Sequence, residues 1–370
     1  ISSTVEREID RCVECGFCEQ GCPSKALTLT PRQRITARRA AESARQSGDD
    51  RLAKKIEKSF AYDGVDTCAV DGMCGIACPV GINTGDLVKK LRDESANQVQ
   101  QRIWRFAAQN WSPFLSVSRA GISVAAFLPR FRGVKLDAGK RRRPQVVSAP
   151  DAIYLPSCTN ELFGPSNQDL FMKIADRAGL SIYIPDGIDS VCCGTPWNSK
   201  GMTAGASVMQ SANNDLLKKL ALHNVPIVTD SPSCAQGFIA SFGGKSVMDS
   251  TQFIAAHVLG KLKIKKVEQL VVHPTCSSAK LDDSAGLLAV ANALAVEVVV
   301  PPNWGCCAFA GDRGLLHPEL TQSATAAEAK FVQSVGAKFH ISNNRTCEIA
   351  MSAAVGAPYI SALQLLYELS

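Results

Sequence analysis

Four cysteines open the sequence as Cys12, Cys15, Cys18 and Cys22, the last followed by Pro23. The spacing C-x2-C-x2-C-x3-C-P lets one short loop present three thiolates to a cubane [4Fe-4S] cluster and send its fourth to a neighbouring cluster. Zinc is the rival, but structural zinc sites usually pair two C-x2-C hooks that lie well apart in the chain. Three cysteines in tandem, closed by Cys-Pro, favour iron and inorganic sulfide.

A second run, Thr67-Cys68-Ala69-Val70-Asp71-Gly72-Met73-Cys74-Gly75-Ile76-Ala77-Cys78-Pro79, aligns with the first but carries Asp71 where the second cysteine should stand. Paired motifs of this kind exchange their fourth ligand. Cluster 1 is therefore expected on Cys12, Cys15, Cys18 and Cys78, and cluster 2 on Cys68, Cys74 and Cys22, with Asp71 or solvent at the remaining iron. An oxygen ligand is harder than thiolate and holds its iron less tightly. The expectation is [4Fe-4S] with an unusual fourth ligand, or [3Fe-4S] after iron loss. The plainer reading is that Asp71 only makes an Asp-Gly turn.

The other eight cysteines recur in a pattern. Cys158, then Cys192-Cys193-Gly194, then Cys234 are answered by Cys276, then Cys306-Cys307-Ala308, then Cys347. The gaps are 34 against 30 residues and 41 against 40. The elements that must position them recur as well. Strand patterns at Ala152–Leu155, Ser181–Ile184 and Pro226–Thr229 alternate with helices at Gln168–Ala178 and Ala204–Leu222. The same order returns at Leu270–Val272, Val296–Val300 and Phe339–Ile341. Short apolar strands alternating with helices predict parallel α/β layers, here duplicated. Each set of cysteines follows strands, so four thiols can converge at the carboxyl edge of each sheet. Seven cysteines in the first part and four in each repeat account for all fifteen.

The chain has 370 residues, 46% of them apolar and 20% charged, enough for more than one core. A net charge of +6 calls for no nucleic-acid partner. An odd, clustered cysteine count argues against a secreted disulfide framework and for metal or redox work in a cytoplasm or similar reducing space. The longest apolar run, Leu287 to Val300, is interrupted by Asn292 and Glu297 and is too short to span a bilayer.

Between the two cluster motifs, Thr30, Pro31 and Gln33 spell a capping box. The basic helix that follows, with Arg34, Arg38, Arg39 and Arg45, reads as a solvated face. Thr84-Gly85-Asp86 opens another helix. Residues 99–129 carry Trp104, Phe106, Trp111, Phe114, Phe127 and Leu128. They are expected to pack on protein rather than a membrane, because Pro113 and Gly121 interrupt any long amphipathic helix. Arg130 to Arg143 reads as an exposed basic linker. The resulting fold class is α+β multidomain. A helical bicluster ferredoxin module spans 1–98, an aromatic helical segment and basic linker 99–150, and the cysteine-rich α/β repeats 151–266 and 267–370.

With these motifs in view, residues 12–98 resemble the bicluster ferredoxin module, and 151–370 the CCG cysteine-rich domains, of glycolate oxidase iron-sulfur subunits and heterodisulfide reductase. Nearly the whole chain resembles the C-terminal iron-sulfur half of bacterial FAD-linked D-lactate and D-2-hydroxyglutarate dehydrogenases. Thr67 to Gly72, Cys306-Cys307-Ala308-Phe309-Ala310-Gly311-Asp312-Arg313-Gly314 and Arg345-Thr346-Cys347-Glu348 carry that likeness. Two departures stand out. Full CCG motifs end in C-x2-C, but Cys234 and Cys347 each stand alone. Ala308 also replaces a glycine, which predicts an altered second double-cysteine turn. At most one four-thiolate cluster per repeat is expected, on Cys158, Cys192, Cys193 and Cys234 and on Cys276, Cys306, Cys307 and Cys347, with zinc as the alternative.

The resemblance implies an oxidoreductase component that carries electrons from FAD to a quinone, a cytochrome or a carrier protein. The alternative is a heterodisulfide-reductase-like thiol-disulfide oxidoreductase. No Gly-rich dinucleotide turn occurs in the chain, and the first residue is Ile1. FAD and the substrate site are thus expected on an upstream domain or a partner subunit, and no catalytic residue is named here. His273, three residues before Cys276, reads as a structural strand histidine or a tuner of a cluster. The full-length protein is expected to be a cytoplasmic homo-oligomer, at most peripheral to the inner membrane.

Overall fold

A computed structural model describes residues 9–125, 138–282 and 284–370. Phe127, Leu128 and the part of the basic run before residue 138 lie outside the described residues. The chain forms two compact units. The first takes the described residues up to Asn97 together with 199–201 and 305–327, and the second takes the rest.

In the first unit, short helices Phe17–Gln20 and Met73–Ala77 follow the cysteine loops, and longer helices Pro31–Gln46, Asp50–Phe60 and Thr84–Ser95 support them. Thr30 caps Pro31–Gln46 through its side chain, and the Gln33 side chain returns to the Thr30 backbone. Two of the orphan donors of that helix end, Gln33 N and Thr30 N, are thereby satisfied, as the sequence predicted. Ile9, Ile35, Ile82 and Leu87 form a small core against which Cys12 and Cys78 pack. Apolar contact thus brings the first residue of one motif beside the last cysteine of the other.

The basic helix departs from its expected solvated face at one position. Arg34 is 1% exposed. Its neighbours behave as surface residues, Arg38 and Arg45 pairing with Glu57 and Arg39 with Asp10 and Glu14.

In the second unit, strands β1 (Ala152–Leu155), β2 (Ile182–Tyr183), β3 (Ile227–Thr229) and β4 (Met248–Asp249) form a parallel sheet ordered β2-β1-β3-β4. Strands β5 (Val267–Val272), β6 (Ala295–Val299), β7 (Phe339–Ser342) and β8 (Ile360–Ser361) form another, ordered β6-β5-β7-β8. The two orders are the same. Strand β1 is buried throughout, as expected of a strand covered on both faces by crossover helices. Helix Ser250–His257 meets helix Ser284–Leu294 where Gly286 leaves room, since a Cβ there would come within 2.7 Å of the Gln252 Cα.

The aromatic segment forms helices Gln98–Gln109 and Trp111–Ala125. Pro113 sits in the first turn of the second helix and Gly121 inside it, so neither interrupts a helix. The break falls at Asn110 instead, because proline in a first turn forfeits no helical hydrogen bond. Trp104 and Trp111 pack edge-on against the buried Trp197, while Ile103, Phe106 and Val117 stay exposed. The end of the basic run is no loose linker. Arg142 is buried and bonds Glu161 at 2.9 Å and the Val191 and Asp189 carbonyls.

Candidate iron-sulfur sites

The two ferredoxin-type loops share one backbone. Glu14 and Gly16 are left-handed at φ 60° and 85°, and the matching Val70 and Gly72 at 54° and 77°. Each glycine leads into a short helix, with Glu19 N donating to Gly16 O at 2.9 Å and Gly75 N to Gly72 O at 3.0 Å. A left-handed β-branched residue costs about 1–2 kcal/mol, and Val70 accepts that cost. Asp71 therefore stands on the backbone that presents Cys15 in the first loop.

Cys22, Cys68, Asp71 and Cys74 line one cavity, with about 280 Å³ of space between atoms, part of it open to solvent. The three cysteines are buried. Burial pushes the Cys74 thiol up to about 11, against a lowering hydrogen bond from Thr84. Ser24 Oγ lies 3.1 Å from Cys22 Sγ, and Thr84 Oγ1 3.5 Å from Cys74 Sγ.

Arg34 forms one wall of the cavity. It donates through Nη1 to Cys22 Sγ at 3.6 Å, through Nη2 to Ser24 Oγ at 2.8 Å and through Nε to Gly64 O at 2.8 Å. Arg92 supports the loop from behind, donating to the Cys68 and Val65 carbonyls. Neither arginine was among the sequence candidates.

The other set is more open. Cys15 is exposed, and Cys12, Cys18 and Cys78 are half-buried. Burial raises the Cys18 thiol, and Cys12 and Cys78 both act on it in the same direction, so these three groups are neighbours. Arg39 ties the loop down by donating to the Asp10 and Cys12 carbonyls. Val13 and Phe17 project at 77% and 63% exposure.

In the first cysteine-rich repeat, Cys158 begins the helix after β1, Cys192 and Cys193 follow the turn after β2, and Cys234 lies in the first turn of the helix after β3. All four are buried. Cys158 and Cys192 sulfurs lie 3.6 Å apart. Cys193 hydrogen-bonds Cys192 and Cys234, which pulls its own thiol down and pushes Cys234 up, while the hydrogen bonds with Cys158 and then Cys193 push Cys192 up. It also donates to Thr195 Oγ1 at 3.3 Å. Burial raises the Asp230 carboxyl, and Asn160 and the Ser157 backbone hold that group beside the Cys158 helix.

In the second repeat, Cys276 begins the helix after β5, and Cys347 lies in the first turn of the helix after β7. Cys306 and Cys307 are buried within 305–327, the stretch that belongs to the first unit. Ala308 keeps a left-handed backbone at φ 60°, as Gly194 does at 87°. The added methyl is carried on the same conformation, and the turn differs further on, where Ala310 and Gly311 are left-handed at φ 40° and 76° while a helix begins at Thr195 in the first repeat. His273 is fully buried, its Nδ1 2.7 Å from the buried Glu328, and a ring nitrogen lies within 4.8 Å of Cys347 Sγ. Glu328 escaped the sequence reading because 55 residues separate it from His273.

Among the described residues, neither ferredoxin-type set, nor the set of the first repeat, brings three ligand atoms within 4.8 Å of one another.

Residues 8–82 match the 4Fe-4S dicluster domain family, and residues 152–238 and 270–352 each match the cysteine-rich domain family. The chain joins a 4Fe-4S dicluster domain to a duplicated cysteine-rich domain. It is similar to the glycolate oxidase iron-sulfur subunit of Escherichia coli K12, at 21% identity over 93% of this chain and 89% of that protein. It is also similar to one component of the dihydromethanophenazine:CoB–CoM heterodisulfide reductase of Methanosarcina acetivorans, at 25% identity over 60% of this chain and 52% of that component. Lactate utilization protein A 1 of Bacillus mycoides matches at 24% identity over 52% of this chain and 84% of its own length. The dicluster, cysteine-rich-domain protein is thus an iron-sulfur electron-transfer component of an oxidoreductase.

Proposed function

We propose that this chain is the electron-transfer part of a flavin-dependent D-2-hydroxy-acid dehydrogenase of the D-lactate or D-2-hydroxyglutarate type. It would receive electrons from FAD bound outside these residues and pass them to a quinone, cytochrome or carrier protein. Cys12, Cys15, Cys18 and Cys78 would hold one cluster, and Cys22, Cys68, Cys74 and Asp71 the next. Cys158, Cys192, Cys193 and Cys234 would hold a third, with Cys276, Cys306, Cys307 and Cys347 as the corresponding set of the second repeat. Bound clusters supply one-electron steps, which divide the two-electron oxidation of a hydroxy acid.

The observation that supports this reading most is the cavity on which Cys22, Cys68, Cys74 and Asp71 converge, since these residues come from both motifs. The residues around it have definable tasks. Ser24 and Thr84 orient thiolates through their hydroxyls, and Arg92 fixes the loop carbonyls. The hydroxy-acid class rests on similarity, because glycolate and lactate, which appear in the names of two relatives, are both 2-hydroxy acids.

The test is anaerobic mixing of the iron-loaded protein with its flavoprotein and either D-lactate or D-2-hydroxyglutarate. One of the two acids should bleach the broad visible absorption of the clusters. Reduced flavin beside clusters that stay oxidised would reject the conduit role.

A further inference from the structure

Burying the Arg34 guanidinium forfeits its hydration, so the contacts that it makes must compensate. It is 1% exposed, and all three of its fixed contacts lie at the Cys22 side of the cavity or on the Gly64 carbonyl behind it. The arginine of the other loop differs. Arg39 is one-third exposed and spends its charge on Asp10 and Glu14.

We infer that Arg34 sets the reduction potential of the second ferredoxin-type cluster, raising it by holding a permanent cation and a hydrogen bond against the Cys22 thiolate. An added electron deepens the negative charge of a cluster. In a buried site a fixed positive charge and an N–H donor to a ligand sulfur stabilise that reduced form. The carboxylate of Asp71 adds negative charge to the same cavity, and Arg34 balances it. The second site becomes the electron sink of the pair, and the open first loop, whose arginine is committed to carboxylates, becomes the lower-potential partner. This inference rests on the assignment of Cys22, Cys68, Cys74 and Asp71 to one cluster.

The experiment is a redox titration of the iron-loaded protein followed by EPR, with iron content measured in parallel. Arg34→Gln should keep its iron and lower the reduction equilibrium constant of one cluster at least tenfold, a fall of about 59 mV for one electron. Arg34→Lys, which keeps a charge but loses the three-way fork, should fall between Gln and the parent. Arg45→Gln, which removes an exposed charge, should leave both potentials unchanged. An unchanged potential in an iron-replete Arg34→Gln protein would overturn the inference. Loss of the cluster from both Arg34 variants would also overturn it, by making the residue a folding element. If Cys22→Ala and Cys68→Ala retain all iron and the parent EPR signals, the cluster assignment itself fails and takes this inference with it.

Discussion

Asp71 differs from the thiolate position it occupies by one functional group, and that group decides how firmly an iron is held. Oxygen is a harder and weaker partner for cluster iron than sulfur. Mild oxidation of the native protein should therefore produce a [3Fe-4S] EPR signal, and Asp71→Cys should abolish it while preserving total iron. A parent protein that never shows that signal would reduce Asp71 to a turn residue. The position was legible because two motifs could be aligned residue by residue, and an alignment exposes the odd member. Arg34 was not legible. Its contacts Cys22, Ser24 and Gly64 lie 12, 10 and 30 residues away, and on a helix otherwise rich in exposed arginine nothing in the pattern singles out one that turns inward.

Among the elements, the helix Pro232–Ser241 has to run close to the double-cysteine turn of its repeat. Gly237 makes that approach feasible, since a Cβ there would meet Thr195 Oγ1 at 2.7 Å, the Cys193 Cβ at 2.9 Å and the Cys193 carbonyl at 3.0 Å. Gly237→Ala should cost about 1–3 kcal/mol through overpacking. It should also lower the metal bound by the first repeat while sparing the ferredoxin-type sites, as iron analysis and chemical denaturation would show. The strands and long helices around this site could be read from periodicity, because a sheet covered on both faces needs short, uninterrupted apolar runs. Proline and glycine misled the reading of 99–129, where their positions within a helix matter more than their presence. The left-handed Glu14 and Val70 also left no trace in sequence, since neither is a residue type that favours that conformation.

For the molecule as a whole, the duplicated sheet order accounts for the duplicated cysteines. Two parallel sheets of the same order present the same loops at their carboxyl edges, so one ligand pattern is written twice. The duplication was visible because both spacing and strand order repeat. The grouping of 305–327 with the first unit was not, since it depends on contacts such as Arg313 to the Asp66 carbonyl across 247 residues. Among the described residues no helix is long and apolar enough to cross a membrane.

The enclosure of Cys22, Cys68 and Cys74 behind Arg34 also bears on how the protein is made. The three thiols of this partly open pocket are buried and Asp71 is half-buried, and metal binding of this kind is coupled to folding. Delivery by the assembly machinery should therefore precede closure of the unit, while the 61–74 segment is still loose. Protein produced under iron starvation should be cut by protease within that segment, and the iron-loaded protein should resist. Equal resistance of both forms would mean that the pocket closes first and that a later entry path exists.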